Sequence, residues 1–272
     1  MAQEAHSLFW QISGNGLTNA SYLYGTMHIN DQRVFDFKPD VLRHFDAANA
    51  LVLELNMDSI NPLTVMNLMV MDSSITLSEL LPEEDFSYVV NFIEDSLSLP
   101  IEFVEQLQPL FISSFVSERS NKSDVKDALD VFFFKRGKLQ DKNIVGLEKV
   151  QEQIDAFNSI PYEEQAKGLL ELIKEEQSAQ KANNSTEELI QHYLDGNLDS
   201  LIIIATDLQE SKFTNQSFER IFLIDRNKIM TNRIVPIIKD QSAFIAIGAA
   251  HLPGKEGVIQ LLREKGYTVE PR

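Results

Sequence analysis

Residues 242–272, SAFIAIGAAHLPGKEGVIQLLREKGYTVEPR, decide how the rest of the chain is read. An apolar run from Ala243 to Ile247 meets Gly248 and then His251, and an amphipathic segment and a second short apolar run follow. That pattern predicts strand, loop, helix, short strand. Working outward, residues 7–56 read as strand, turn, strand, helix, strand: SLFWQIS, the GNGLTNAS turn, YLYGT, an amphipathic KPDVLRHFDAA and ALVLEL. Gly14, Asn15 and Gly16 suit a hairpin, and Pro39 suits the first turn of the helix. The pattern from about 60 to 140 is helical, with Pro82, Pro100 and Pro109 at boundaries, and NIVGLE (143–148) returns to strand character. Residues 150–240 are helical again, with a polar break expected at KANNST (181–186). The predicted fold class is α/β: a mixed central sheet flanked by helices, with a large helical insertion forming a lid or subdomain. One domain is expected over 1–272, its core from about 7–57, 142–158 and 220–272 and its helical insertions at about 58–141 and 159–219.

The chain has 272 residues and 43% hydrophobic content, ample for a core. Its 41 acidic and 24 basic side chains give a formal net charge of -17, which repels a phosphate backbone and mildly favours divalent cations. Nucleic acid and anionic membrane are therefore poor partners. With no cysteine, disulfides, thiolate metal sites and cysteine nucleophiles are excluded. The longest apolar runs fall short of the roughly 20 residues that span a bilayer, so no membrane span is expected. The Met-rich VMNLMVM (65–71) reads more readily as helix core than as a flexible binding surface.

Four runs of strand character end on residues able to bind metal or move a proton. YLYGTMH ends at His28, ALVLEL contains Glu54, NIVGLE ends at Glu148 and AFIAIGAAH ends at His251. Ligands of open α/β sheets sit beyond the carboxyl ends of the strands, so the four groups are expected at one edge. Gly25 and Gly248 would allow a sharp turn or a close approach there. Two imidazoles with one or two carboxylates suit a catalytic zinc, manganese or cobalt ion. Glu148 could instead meet the dipole of the helix after it. Arg226 could pair with a site glutamate, stabilise an oxyanion, or form a surface salt bridge with Asp225. Thr26 fits turn stabilisation better than ligand binding, and His6, His44 and His192 lack a comparable setting.

The stretch SLFWQISGNGLTNASYLYGTMHI, with ALVLELN, GLEKVQEQIDAF, RNKIM and GAAHLPGKEGVIQLLREKGYTV, resembles the TraB/GumN family, which includes the Tiki metalloproteases. The resemblance covers nearly the whole chain, and its most specific element is the pair of Gly-x-x-His motifs, Gly25 to His28 and Gly248 to His251. It implies a fold related to the erythromycin-esterase and ChaN-like proteins and metal-dependent cleavage of peptides, supported by manganese or cobalt. Carried over, His28 and His251 are metal ligands, Glu54 a ligand or general base, Glu148 the other of these or an orienting group, and Arg226 an electrostatic stabiliser. A peptide- or pheromone-sequestering module and a metal-independent His/Glu hydrolase are the alternatives. The opening AQEAHSLFWQ also resembles the start of a mature exported bacterial member, so a periplasmic or extracellular location is expected, and a cytoplasmic one is compatible with the sequence.

Overall fold

A computed structural model describes residues 6–27, 29, 31–72, 74–120, 127–177, 181–203 and 219–272. Its centre is a six-stranded sheet of β1 (Phe9–Ser13), β2 (Ser21–Thr26), β3 (Ala50–Leu53), β4 (Asn143–Gly146), β5 (Ala243–Gly248) and β6 (Thr268–Pro271), in the order β4-β3-β5-β2-β1-β6. The pairs β4·β3, β3·β5 and β5·β2 are parallel, whereas β2·β1 and β1·β6 are antiparallel. The sheet is mixed, and the chain is of the α/β class.

The burial pattern explains the sequence pattern. Every residue of β3 is buried, as are five of the six in β5, because strands covered on both faces need continuous apolar runs rather than alternation. The outer strand β6 is exposed at three of its four positions. Gly14, Asn15 and Gly16 carry the β1–β2 connection in the left-handed region, with φ of 77°, 45° and 81°.

Helices α1 (Pro39–Ala47), α2 (Pro62–Leu68), α3 (Leu77–Leu80), α4 (Glu83–Leu97), α5 (Ile101–Val104), α6 (Pro109–Ser120) and α7 (Leu129–Leu139) lie between β3 and β4 or just before them in the chain. After β4 come α8 (Val150–Asn158), α9 (Tyr162–Gln177) and α10 (Lys181–Leu194), then α11 (Asp225–Asp240) before β5 and α12 (Val258–Glu264) before β6. Two large apolar clusters result among the described residues. One packs helices onto the sheet around Phe45, Leu51, Phe133, Phe244 and Ile234; the other joins α3, α4, α6 and α9 through Leu77, Ile93, Ile112, Leu169 and Ile173. Each such side chain contributes about 1.5–3 kcal/mol on burial.

Two local expectations are corrected. KANNST is not a break: α10 starts at Lys181 and runs through it, anchored further along by buried Ile190 and Tyr193. The stretch 65–71 is not helix core throughout, because α2 has no buried residue and Met66 is 59% exposed, whereas Met71 is buried. Apolar composition does not choose a face, and none of the α2 side chains is fully buried in this fold. No described helix is long and apolar enough to cross a membrane.

Candidate functional site

The parallel register places the ends of β4, β3, β5 and β2 side by side. Leu53 is level with Gly146 and Ala246, and Thr26 is level with Gly248. The ladder extends one step past β4, since the Glu148 amide donates to the Glu54 carbonyl at 2.8 Å. Glu54, Glu148 and His251 therefore leave the sheet at its carboxyl edge. His28 lies outside the described residues.

Arg226 ties the two glutamates together. Its Nε donates to Glu148 Oε1 at 2.8 Å, and its Nη2 donates to Glu148 Oε2 and to Glu54 Oε2, both at 2.7 Å. Nη1 donates to the Phe222 carbonyl at 3.3 Å. A π-helical turn, Arg220–Ile224, supplies that carbonyl directly before α11, and such turns recur at functional sites. Burial works to lower the Arg226 pKa, but the hydrogen bond to Glu148 and the charges of both glutamates outweigh it, so the guanidinium is held charged more firmly than usual. The partner of Asp225 is Arg220, at 3.5 Å.

Glu148 does not cap the helix that follows it. Its side chain is 1% exposed, and its Oε2 also accepts from Gln153 Nε2 at 3.0 Å. The carboxylate that reaches back to the start of α8 is that of Glu152, which accepts from the Lys149 amide at 2.9 Å. Glu148, held on both oxygens, is suited to orient Arg226 and Glu54.

Glu54 is held differently. Its Oε2 takes the arginine, while its Oε1 accepts from the Gly248 amide at 2.7 Å and stands 3.7 Å from His251 Nε2. That separation is too long for a hydrogen bond. It does suit two donors that each bind one ion at roughly 2.0–2.2 Å. Gly248 makes the approach possible, because a Cβ there would lie 3.1 Å from Glu54 Oε1 and 3.4 Å from His251 Cδ2. Gly25 likewise serves close packing rather than a turn: a Cβ would meet Leu252 Cδ1 at 2.9 Å and the Ala249 Cα at 3.1 Å.

Asn227 sets the imidazole. Its Nδ2 donates to the Glu256 carbonyl at 2.8 Å, which turns its Oδ1 to His251 Nδ1 at 2.7 Å. The amide oxygen can only accept, so Nδ1 carries the hydrogen and the lone pair of neutral His251 lies on Nε2, the atom facing Glu54. Both residues are buried.

Below the end of β2, the Thr26 hydroxyl donates to the buried Asp130 carboxylate at 2.9 Å and Tyr193 donates to the Gly25 carbonyl at 2.8 Å. Burial pushes the Tyr24 phenol up to about 12 and raises that of Tyr193 well above its ordinary value, so both stay protonated and Tyr193 is a fixed donor to the Gly25 carbonyl. Gln153, Asn227, Asp130 and Tyr193 had not been singled out from the sequence. The signal that could have found the first two was adjacency, since Gln153 stands five residues past Glu148 and Asn227 directly follows Arg226.

The two glutamates and the arginine form a nearly buried cluster, with Arg226 16% and Glu54 13% exposed. Glu54 and His251 are the described residues whose donor atoms fit a divalent ion. The described residues hold no group of three or more His, Asp or Glu side chains able to bind a metal. A cavity of about 410 Å³ opens over these groups, bounded also by Met27, Phe157, Leu189, Tyr193 and Leu201.

A mixed α/β sheet that gathers carboxylates, an arginine and an imidazole at the ends of parallel strands is the architecture of a ligand-binding or catalytic site at a sheet edge. The chain belongs to the TraB/PrgY/gumN family, whose pattern it matches over residues 8–271. Among curated proteins it is similar to the zebrafish (Danio rerio) Metalloprotease TIKI2, 25% identical over 98% of this chain and 61% of that protein. It is also similar to the human (Homo sapiens) Metalloprotease TIKI1, 24% identical over 98% of this chain and 62% of that protein, and to the Metalloprotease TIKI homolog of Nematostella vectensis, 23% identical over 97% and 67%. The chain thus spans about three fifths of the length of the first two relatives. No solved structure matches it.

Proposed function

We propose that this protein is a metal-dependent hydrolase that cleaves peptide or protein substrates. The observation that carries the reading is the opposition of Glu54 Oε1 and His251 Nε2 at 3.7 Å, beside the nearly buried cluster of Glu54, Glu148 and Arg226. The names of the relatives, metalloproteases all, support the same chemistry.

In this reading His251 Nε2 and Glu54 Oε1 hold a divalent ion, manganese, cobalt or zinc, and His28 joins them on the strength of its Gly-x-x-His spacing. Bound there, the ion would lower the pKa of a coordinated water toward about 7 and supply a nucleophile at neutral pH. Arg226, Glu148 and Gln153 keep the Glu54 carboxylate in place, and Asn227 keeps the imidazole turned. The described parts of the expected insertion at 159–219 that reach the cavity, α10 and residues 198–203, act as part of a lid or subdomain over the sheet edge, a role supported by Leu189, Tyr193 and Leu201 on its wall.

The test is elemental analysis of the purified protein, followed by cleavage of a mixed peptide set with manganese, cobalt or zinc added and with a chelator. The expected result is metal-stimulated cleavage that the chelator abolishes. Chelator-resistant cleavage would favour a metal-free His/Glu hydrolase, and a peptide retained and released intact would favour a sequestering module. Absence of metal uptake, together with unchanged stability on adding metals, would sink the metal reading.

A further inference from the structure

We propose that the cavity over Glu54 and His251 selects one large apolar side chain of its substrate, such as Leu, Met or Phe, and rejects an acidic one. This preference rests on the peptidase reading above and specifies the substrate class. The void of about 410 Å³ lies in the range of roughly 300–1,000 Å³ usual for specific small-ligand sites. Its floor is the sheet edge with Glu54, Arg226 and His251, and its walls are built from Met27, Phe157, Leu189 and Leu201.

Those walls come from separate segments that the fold brings together: the end of β2, α8, α10 and the helical residues 198–203. Phe157 is fixed by ring packing on Phe222 and Phe111, with centroids 5.3 and 5.9 Å away, so that wall is preformed. A carboxylate entering among these side chains would lose its water and gain no donor, at a cost that an apolar group does not meet. Arg226 offers no remedy. It is the only lysine or arginine among the described residues around the cavity, and it already donates to Glu54, Glu148 and the Phe222 carbonyl. Substrate residues with acidic side chains therefore meet apolar walls and no lysine or uncommitted arginine among the described lining residues.

The experiment has one arm with turnover and one without. In a peptide library varied one position at a time, with products read by mass spectrometry in the presence of manganese, cleavage beside Leu, Met or Phe is expected at least about tenfold faster than beside Ala. Cleavage beside Asp or Glu is expected to be absent. Leu189→Arg, at a half-buried wall position, should bring acidic residues into the cleaved set, and Leu201→Ala should move the preference toward Phe and Trp. Saturation-transfer NMR with N-acetyl-phenylalaninamide and N-acetyl-aspartamide reads the pocket without chemistry: the wild type should bind the first alone, and Leu189→Arg should gain the second. Equal binding of the two amides, or a preference that folded Leu189→Arg and Leu201→Ala proteins both leave unmoved, overturns the assignment. Selective binding of the apolar amide with no cleavage of any peptide supports the pocket and overturns the peptidase reading instead.

Discussion

Arg226 and Glu148 are joined at two points, Nε to Oε1 at 2.8 Å and Nη2 to Oε2 at 2.7 Å, across 78 residues of chain. The planar fork of the guanidinium matches the carboxylate, and the same Nη2 reaches Glu54 at 2.7 Å. One side chain of α11 thereby fixes the ends of two parallel strands. Removing it would leave two carboxylates facing each other in a nearly buried site. Arg226→Met is expected to destabilise the fold by about 3–5 kcal/mol, measured by urea denaturation, because breaking one side of a buried pair strands its partners. The double variant Arg226→Met/Glu148→Gln should recover part of that stability without recovering activity. Equal stability of the single variant and the wild type would contradict the clamp.

Asn227 provides a separate handle on the imidazole. Asn227→Ala removes the acceptor 2.7 Å from His251 Nδ1 and releases the tautomer. Metal affinity and cleavage are expected to fall roughly 10- to 100-fold, the usual cost of losing such an orienting group. Nitrogen NMR of the labelled imidazole should show a single tautomer, hydrogen on Nδ1, in the wild type and a mixture in the variant. A single unchanged tautomer in the variant would refute the assignment.

The two motif glycines are expected to respond differently to alanine. At Gly248 the new methyl faces the Glu54 carboxylate at 3.1 Å, a side chain that can shift, so Gly248→Ala should lower activity more than stability. At Gly25 it faces Leu252 at 2.9 Å and the backbone of Ala249 at 3.1 Å, so Gly25→Ala should cost about 1–3 kcal/mol as overpacking of the sheet against the loop after β5. Thermal denaturation and peptide cleavage measured on both variants separate the two effects.

Acid should loosen α8 from α11. Arg233 donates to the Glu152 carboxylate at 2.6 and 2.7 Å, and this pairing holds the Glu152 pKa down to about 2 from an ordinary 4.5. A depressed folded-state pKa means that the stabilisation is fully present above the unfolded value and is lost as pH falls through the folded one, here between about 4.5 and about 2. The side chains are 38% and 30% exposed, so solvent screening limits the contribution to ~0.5–1 kcal/mol. Glu152→Gln should be less stable than wild type by that amount at neutral pH, with the difference shrinking to nothing at the acid end of the window. Urea denaturation across the window checks it.

Several parts of this molecule are legible without coordinates. Short continuous apolar runs at 50–53 and 243–247 fit strands covered on both faces, and Gly14, Asn15 and Gly16 mark a hairpin because few residues tolerate positive φ. Glu54, Glu148 and His251 are visible as polar groups that follow such runs. What could not be read is how each is held. Glu148 precedes a helix and could have capped it, and only the arrival of Arg226 from a distant helix shows where its oxygens go. Gln153 and Asn227 lie near Glu148 and Arg226 in the chain, but that adjacency alone does not show that their amides point inward. The exposure of Met66 was equally hidden, because an apolar residue does not specify which element will cover it.

Strands, the hairpin, most helices and the polar residues at the strand ends are legible locally, because period, glycine conformation and apolar runs are local properties, whereas the continuity of α10 through KANNST is not. Tertiary structure alone decided the strand order β4-β3-β5-β2-β1-β6 and, through it, which ends stand side by side. It also decided that Arg226 neutralises one of two carboxylate charges and that Asn227 turns the His251 lone pair toward Glu54. Hydrogen bonds act over about 3 Å, and only folding brings residues 54, 148 and 226 within that reach and sets His251 3.7 Å from Glu54.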